Sequence, residues 1–279
     1  MMTANRKSTI RRSDILYLED SGFNLDNVCI VTAAGSGIGR ATAVAAAVNG
    51  LMTVGLDVNE KKGTRTQQIA RDMGGQMIFI RTDMCRDEQL CHAVAEAAKI
   101  GSIRYLANIT PMPRIGDLTQ FSIKRCDHLY RLIVRAPIFL TKLVVKQMKT
   151  QTEAAGVIGN LNWHSTRLFT VRCRTQGTDI LGASMLDPSV LVRGERCIRA
   201  FSLNSEIGLD GADNPWAVAH SKMDAPEGDE ENDTVRRHEP ASQKISSIDM
   251  ANLFIFGFSR FARFFTDGRL RMENISRSE

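Results

Sequence analysis

The sequence predicts a single α/β domain built on a doubly wound parallel sheet, and two observations support this prediction. From about residue 27, apolar strand patterns alternate with helical patterns through short linkers, which is typical of a parallel sheet covered by helices on both faces. The chain has 279 residues, of which 43% are hydrophobic and 24% charged, enough for one large core. We predict an N-terminal extension over residues 1–26 and one domain over 27–279, with an irregular loop at about 205–245.

The predicted elements follow from local patterns of apolar residues. Compact apolar runs bounded by polar or glycine-containing segments predict six strands, at 28–32, 51–56, 76–81, 103–108, 157–161 and 198–203. Longer periodic segments, the first of them rich in alanine, predict helices at 37–49, 59–73, 86–98, 117–149 and 248–258. Ser246 or Ser247 is expected to cap the last of these helices.

Composition and charge exclude several classes of protein. The net charge is +5, but the first twelve residues contribute +4, so the remainder is nearly neutral and predicts no nucleic-acid partner. The longest apolar run, 43–48, is far too short to cross a bilayer, so we predict a cytoplasmic protein with no membrane partner.

Six scattered cysteines predict neither a metal site nor disulfides. An acid-rich segment at 224–240 predicts a mobile loop.

A glycine-rich turn after the first predicted strand indicates a dinucleotide site. Glycines allow the chain to approach a pyrophosphate, whose charge is met by amides at the start of the next helix. An acid ends the second predicted strand 18 residues after the last glycine, close to the spacing of a carboxylate that binds a ribose 2′-hydroxyl, so NAD is favoured over NADP. The alternative is a glycine-rich turn with surface acids. The predicted cofactor-binding residues are Thr32, Gly35, Ser36, Gly37, Ile38, Gly39, Asp57, Asp83, Met84 and Asn108.

These residues resemble the short-chain dehydrogenase/reductases. The segment 32–39 is similar to that family's T-G-x-x-x-G-x-G turn, with Ala33 in place of the first glycine, and 106–109 resembles its N-N-A-G stretch. Asp83 matches the aspartate that contacts adenine. Further similarity lies at 135–137, 156–160 and 251–268, and the middle of the chain departs from the pattern. The resemblance implies a Rossmann-like fold and suggests hydroxyacyl or 3-hydroxybutyrate-type dehydrogenases. If Ala33 has a positive φ, the replacement costs about 1–2 kcal/mol.

The resemblance also implies an active site of asparagine, serine, tyrosine and lysine, and all four positions are replaced. They are occupied by Ile133, Trp163, Gln176 and Ile180. The chain's three tyrosines are Tyr17, Tyr105 and Tyr130, so none follows the fifth predicted strand. No lysine lies between Lys149 and Lys222, and the arginines there cannot exchange a proton at neutral pH.

Other residues could replace part of this machinery. His164 could act alone as an acid/base if it faced the nicotinamide, although a partly exposed histidine beside Trp163 is the simpler interpretation. Ser165 follows it, but neighbours on an extended chain point to opposite faces, so the two cannot act there as a pair. The helix expected to carry the tyrosine contains Gly177, Gly182 and Pro188. Because that helix pairs between subunits in the family, the usual homotetramer is in doubt.

Three functions remain open from the sequence. The first is an NAD-binding protein that has lost catalysis, as the inactive subunit of a heteromeric hydroxyacyl(-CoA) dehydrogenase with a catalytically active paralogue as partner. The second is an active NAD-dependent dehydrogenase of hydroxyacyl or hydroxy-acid substrates. The third is a regulatory protein in which NAD occupancy changes a partner contact. In the first case the protein is a pseudoenzyme, and a homo- or hetero-oligomer is expected. Cofactor binding itself could also be lost.

Overall fold

A computed structural model describes residues 10–110, 122–152, 155–164, 198–206, 246–263 and 269–272. These residues include one sheet of seven parallel strands in the order β3-β2-β1-β4-β5-β6-β7. The predicted doubly wound α/β fold is confirmed. In chain order the strands are β1 (Asn27–Thr32), β2 (Met52–Asp57), β3 (Met77–Arg81), β4 (Ser102–Ile109), β5 (Gly156–His164), β6 (Ile198–Glu206) and β7 (Arg269–Met272).

The helices cover both faces of the sheet. They are α1 (Gly37–Val48), α2 (Glu60–Asp72), α3 (Asp87–Ile100), α4 (Ile123–Tyr130), α5 (Ala136–Thr150) and α6 (Ser247–Phe258). A five-residue π-helical segment, Arg131–Arg135, separates α4 from α5. The described part of the helix predicted over 117–149 therefore consists of three helical segments. Ser246 caps α6, with its hydroxyl and the Asp249 carboxylate forming a reciprocal capping box.

Two features of the sheet differ from the predicted one. Strands β5 and β6 each continue three residues beyond the predicted ends. Strand β7 was not predicted, because its sequence alternates arginine with apolar residues and lies within a polar segment. An edge strand pairs on one side only, as β7 does with β6, and therefore tolerates such polarity.

Alternation along β1 builds two cores, one on each face of the sheet. Cys29 and Val31 point into a cluster with α1 and α6, whereas Val28 and Ile30 point into a second cluster with α3 and α5. All four side chains are fully buried. Because β1 lies centrally and is covered on both faces, its sequence is a continuous apolar run. Burial also raises the pKa of the Cys29 thiol, so this residue packs as a small apolar side chain.

The sheet reverses its winding direction between β1 and β4, which are neighbours in space. Connections from β1 lead to β2 and β3 on one side, and those from β4 lead to β5 and beyond on the other. In open α/β sheets a crevice forms at the carboxyl ends of the strands at this reversal. Thr32 lies at the carboxyl end of β1, and Asn108 is the penultimate residue of β4.

Part of the predicted N-terminal extension is packed against the domain. Residues 14–18, here called the N-terminal strap, begin at the end of a short 3-10 helix (Arg12–Asp14) and are held by two asparagine side chains. Asn252 of α6 accepts from the Leu16 amide at 2.8 Å and donates to the Asp14 carbonyl at 2.9 Å. Asn49, after α1, accepts from the Leu18 amide at 2.9 Å and donates to the Leu16 carbonyl at 2.9 Å. The strap therefore fastens α1 to α6.

Replacing Asn49 with alanine should destabilise the protein. Asn49 is 4% exposed, and its loss leaves the Leu18 amide and the Leu16 carbonyl without these partners. Such a loss costs about 1–3 kcal/mol, which lowers the melting temperature by several degrees at roughly 2–4 °C per kcal/mol. Asn24→Ala, at an exposed turn, is the matched control and should lower the melting temperature less than Asn49→Ala does. Equal melting temperatures for the two variants, measured by calorimetry, would show that the strap does not stabilise the fold.

A charged pair joins α3 to the helical segment before α5. The Arg135 guanidinium donates to both carboxylate oxygens of Asp87, at 2.5 and 2.6 Å. These bonds hold the pKa of Asp87 below its usual range. A depressed carboxyl pKa contributes stability above the unfolded-state value of about 3.9, and this contribution is lost as the pH falls through the lower folded-state value.

Asp87→Asn should therefore have a pH-dependent effect on stability. We expect the variant to melt at a lower temperature than the wild type by a constant margin between about pH 8 and pH 5. That margin should shrink below about pH 4, as the wild-type carboxylate becomes protonated. Glu88→Gln removes the adjacent charge without touching the pair and serves as control. If the difference in melting temperature between the wild type and Asp87→Asn stayed the same down to about pH 2.5, the Asp87 carboxylate would not be stabilised by Arg135 as stated.

Candidate dinucleotide-binding site

The turn between β1 and α1 has an unusual backbone. Thr32 ends β1, Gly37 begins α1, and both Ala33 and Gly37 have positive φ, +52° and +53°. Alanine at such a φ costs about 1–2 kcal/mol of stability. The condition under which Ala33 was expected to be costly, a positive φ, is therefore met. Ala33 is the only non-glycine residue with positive φ among those the structure describes.

Helix α1 packs directly against this turn. A Cβ atom at Gly39 would lie 2.0 Å from the carbonyl oxygen of Ala33, so only glycine fits there. The first backbone hydrogen bond of α1 runs from the Arg40 amide to the Ser36 carbonyl at 3.0 Å. The amides of residues 37–39 therefore have no acceptor within the helix. The Ser36 side chain does not cap them, which leaves donors of the kind that bind a phosphate.

Asp57 reaches the same turn from the end of β2. Its Oδ2 accepts from the Gly35 amide at 2.9 Å, and its Oδ1 accepts from the Asn59 amide at 2.8 Å. A Cβ at Gly35 would lie 2.7 Å from Oδ2, so glycine is needed for this approach. Each carboxylate oxygen has a second lone pair, which can accept a hydroxyl. The predicted acid and the predicted turn are thus brought together.

Asp83 and Met84 follow β3 on the same edge of the sheet and are half-buried. The Asp83 Oδ1 atom accepts from the Cys85 amide at 2.9 Å, and the Asp83 amide donates to Gln89 Oε1 at 2.7 Å. These bonds fix the loop locally. Since β2 and β3 are adjacent parallel strands, Asp83 lies beside Asp57 along the edge where the predicted ligand would bind.

Thr32 and Asn108 are buried within the protein, unlike the acids. The Asn108 amide nitrogen donates to Thr141 Oγ1 and to Asn160 Oδ1, both at 2.9 Å, which joins β4 to α5 and β5. The Thr32 hydroxyl donates to the Ile109 carbonyl and accepts from its amide, both at 2.8 Å. In the described residues these two predicted cofactor-binding side chains therefore join strands. Ile38, also predicted, is 2% exposed and packs in the core.

The positions of the family's catalytic residues are only partly described. Ile133 is half-buried in the π-helical segment, and Trp163 is the penultimate residue of β5. Gln176 and Ile180 lie outside the described residues, as do Gly177, Gly182, Pro188, Ser165 and the predicted mobile loop at 224–240. All three tyrosines are described. Tyr105 packs between Phe23 and Phe258, where burial raises the pKa of its hydroxyl.

Sequence reasoning missed a polar cavity of about 990 Å³ between the loop after β3 and α4. Cys85 and His128 meet there, with 3.9 Å between Sγ and Nδ1. Burial, followed by the Asp83 charge, raises the pKa of the Cys85 thiol, so it is protonated at neutral pH and a poor nucleophile. No sequence spacing would have paired these residues, because α4 is brought to the loop only by the fold. The cavity is lined by Asp83, Cys85, Arg86, Asp87, Glu88, Asp127, His128, Tyr130, Arg131 and Arg135.

No group of three or more histidine, cysteine or acidic side chains among the described residues could hold a metal ion. No described helix is long and apolar enough to span a membrane. The four described cysteines, Cys29, Cys85, Cys91 and Cys126, are free thiols.

Ala33→Gly should stabilise the protein. Glycine adopts a positive φ without steric cost, and this gain exceeds its greater entropy in the unfolded chain by about 1 kcal/mol. The melting temperature should rise by roughly 2–4 °C. Ala34→Gly is the matched control, because Ala34 is buried and has no positive φ, and it should lower the melting temperature. A lower melting temperature for both variants than for the wild type would show that Ala33 is not strained.

Known proteins resemble this chain most clearly in its first part. Residues 27–162 match the family described as short chain dehydrogenase. An uncharacterized oxidoreductase of Thermotoga maritima is 34% identical over 136 residues, which are 48% of this chain and 53% of that protein. The 7alpha-hydroxysteroid dehydrogenase of Escherichia coli K12 is 30% identical over 146 residues, 49% of this chain and 55% of its own. The chain thus spans about half the length of the curated relatives it matches.

Solved structures extend the likeness in fold beyond this segment. The crystal structure of hydroxysteroid dehydrogenase from Escherichia coli superposes with a TM-score of 0.65 at 22% identity, over 91% of this chain and 99% of that one. A short chain dehydrogenase from Mycobacterium smegmatis gives 0.65 at 17% identity, over 94% and 97%. Over residues 27–162 the protein is therefore similar in sequence to the short chain dehydrogenase family, and the solved structures show that it shares their fold.

Proposed function

We propose that this protein binds NAD at the carboxyl edge of its sheet. The observation that carries the proposal is the contact between the Asp57 carboxylate and the Gly35 amide, at 2.9 Å. It places a hydroxyl-accepting acid against a turn whose next amides are left for an anion. The family generally binds NAD or NADP, and a carboxylate at this position would repel a 2′-phosphate.

The described residues fit such a cofactor. Amides of residues 37–39 would meet the pyrophosphate, Asp57 the adenosine ribose, and Asp83 with Met84 the adenine. The glycines at 35 and 39 are sites where a Cβ would collide with Asp57 or with the Ala33 carbonyl, so the turn is built for close approach. When bound, NAD supplies a nicotinamide ring that accepts or donates a hydride.

We further propose that the protein does not catalyse hydride transfer. The family's reaction needs a tyrosine that exchanges a proton with the substrate, and the three tyrosines of this chain all precede β5. The family's asparagine position holds Ile133, and its serine position holds Trp163. Neither side chain offers a titratable proton. A dinucleotide site without this acid/base group is characteristic of a pseudoenzyme.

The role that accommodates both proposals is a non-catalytic subunit of a heteromeric hydroxyacyl(-CoA) dehydrogenase. The partner would be a catalytically active paralogue, which supplies the tyrosine and lysine. Large apolar side chains on α4 support a contact surface: Ile123 is 76% exposed and Tyr130 46% exposed. A partner covering this side would bury them, and we expect a dimer or a heteromer.

An active dehydrogenase is the second candidate. Strand β5 ends at His164, so the backbone brings a histidine to the carboxyl edge of the sheet, next to the position of the family's serine. Histidine titrates near neutral pH and can serve as a general acid or base. This candidate requires turnover that depends on His164.

Differential binding of the two dinucleotides tests the cofactor proposal. A ligand at a hundredfold excess over its Kd stabilises the native state by about 2.7 kcal/mol, so NAD should raise the melting temperature by several degrees. NADP should raise it less, because its 2′-phosphate would lie against Asp57. Asp57→Ala should narrow this difference. Negligible shifts with both cofactors at millimolar concentration would contradict NAD binding.

Catalytic silence is the corresponding kinetic prediction. The purified protein should not reduce NAD with 3-hydroxybutyrate, a hydroxyacyl-CoA or simple secondary alcohols, because loss of a general acid/base alone lowers rates by about 10² to 10⁴. Absorbance at the NADH band provides the measurement. Turnover of about 1 per second, which is at the lower end of typical enzyme kcat values, would overturn the proposal. Loss of such turnover in His164→Ala would establish the second candidate instead.

A further inference from the structure

Both hydrogen-bonding groups of the Gly35 backbone are held by charged side chains. Asp57 accepts from the amide, and the Arg40 guanidinium donates through its terminal nitrogen to the carbonyl. The two side chains come from different elements, β2 and α1, and carry opposite charges. Gly35 lies between them at the centre of the turn. We call these three residues the Gly35 clamp.

Arg40 is itself fixed by a third element. Its Nε atom donates to Thr66 Oγ1 at 3.0 Å, and the Thr66 hydroxyl donates to the Lys62 carbonyl at 3.1 Å within α2. Thr66 is fully buried and Arg40 half-buried. Burial lowers the pKa of Arg40, as does nearby Arg65, whereas the Asp57 charge opposes this shift. The guanidinium stays charged and has a restricted position.

The turn needs such support because its backbone is strained. Ala33, two residues before Gly35, has a φ of +52°. A residue remains in an unfavourable backbone region only when its surroundings hold it there. Three contacts restrain the turn: Asp57 and Arg40 on Gly35, and the close packing of Gly39 on the Ala33 carbonyl. Of these, only the Arg40 contact comes from a side chain with no expected place against the cofactor.

We propose that Arg40 is a positioning residue of the dinucleotide site, which holds the strained turn in the form that presents the amides of residues 37–39 to a pyrophosphate. The inference rests on the proposed NAD binding for its ligand. Asp57 sets the preference between the two dinucleotides through its charge, whereas Arg40 maintains the turn that both share. Losing Arg40 should therefore weaken NAD and NADP together.

Arg40→Lys separates positioning from charge. Lysine keeps the positive charge but has a single ammonium, which cannot donate to Gly35 and Thr66 in the fixed fork of a guanidinium. Hydrogen–deuterium exchange of the ligand-free full chain is the first readout. We expect the peptide covering residues 33–39 to exchange about tenfold faster in Arg40→Lys and Arg40→Met than in the wild type. Peptides from β4 and α5 serve as internal controls and should change by less than about twofold.

Calorimetric titration with NAD and with NADP is the second readout. Both Arg40 variants should bind each dinucleotide about tenfold more weakly, with the ratio of the two affinities changed by less than about threefold. Asp57→Asn is the contrasting variant, because its amide oxygen can still accept from Gly35 while the charge is lost. It should change the ratio and leave exchange over residues 33–39 near that of the wild type.

Relief of the backbone strain completes the test. In Ala33→Gly with Arg40→Met, the glycine tolerates the positive φ, and exchange over residues 33–39 should return at least halfway to the wild-type rate. Wild-type exchange and affinity in Arg40→Lys would overturn the proposal, as would absence of recovery in the double variant. If the wild type binds neither dinucleotide, the proposed function fails, while the exchange data still decide whether Arg40 holds the turn.

Discussion

The close approach of α1 to the turn after β1 is the constraint on which the site depends. Gly39 has no side chain because its Cα lies against the Ala33 carbonyl, and Gly35 has none because the Asp57 carboxylate occupies that space. These two contacts bring β1, β2 and α1 to one point at the carboxyl edge of the sheet. The helix amides left without acceptors lie at that point as well. A larger residue at Gly39 would push the helix away from the turn, whereas one at Gly35 would displace the Asp57 carboxylate from it.

The strain at Ala33 makes the turn depend on restraint by its neighbours, which a turn with glycine at this position would not need. Where glycine adopts a positive φ freely, alanine must be held, and the surrounding side chains provide that restraint. The Gly35 clamp thus links the stability of the fold to the shape of the cofactor site. Buried contacts elsewhere, such as those that join Asn108 to Asn160 and Thr141, fix the neighbouring strands β4 and β5. Side-chain hydrogen bonds therefore join the carboxyl edge of the sheet at β4 and β5 as well as at the turn.

The proposed cofactor site and the proposed loss of catalysis concern different residues of this chain. Residues 27–162 match the short chain dehydrogenase family and contain the glycine-rich turn, with Asp57 and Asp83 following neighbouring parts of the sheet edge. At two positions where the family resemblance predicts catalytic groups, the chain has Ile133 and Trp163, whose side chains do not titrate near neutral pH. Binding a dinucleotide and transferring a hydride rest on separate residues, so one can persist without the other. The α4 surface, with exposed Ile123 and Tyr130, is where the proposed partner subunit would bind.

The sequence by itself determined the order of strands and helices, because apolar periodicity reports burial directly, and it located the turn, Asp57 and Asp83, because glycines and strand-end acids stand at fixed spacings. Counting also showed that none of the chain's three tyrosines follows the fifth predicted strand, and the loss of the catalytic tyrosine is a prediction from that count. Tertiary structure alone decided the sign of φ at Ala33, the burial of Thr32 and Asn108, the docking of the N-terminal strap and the Arg40 contact with Gly35. Strand β7 was likewise found only in the fold, since its sequence alternates arginine with apolar residues and has no continuous apolar run. Each of these depends on partners distant in sequence or on backbone geometry, which no local pattern of residues records.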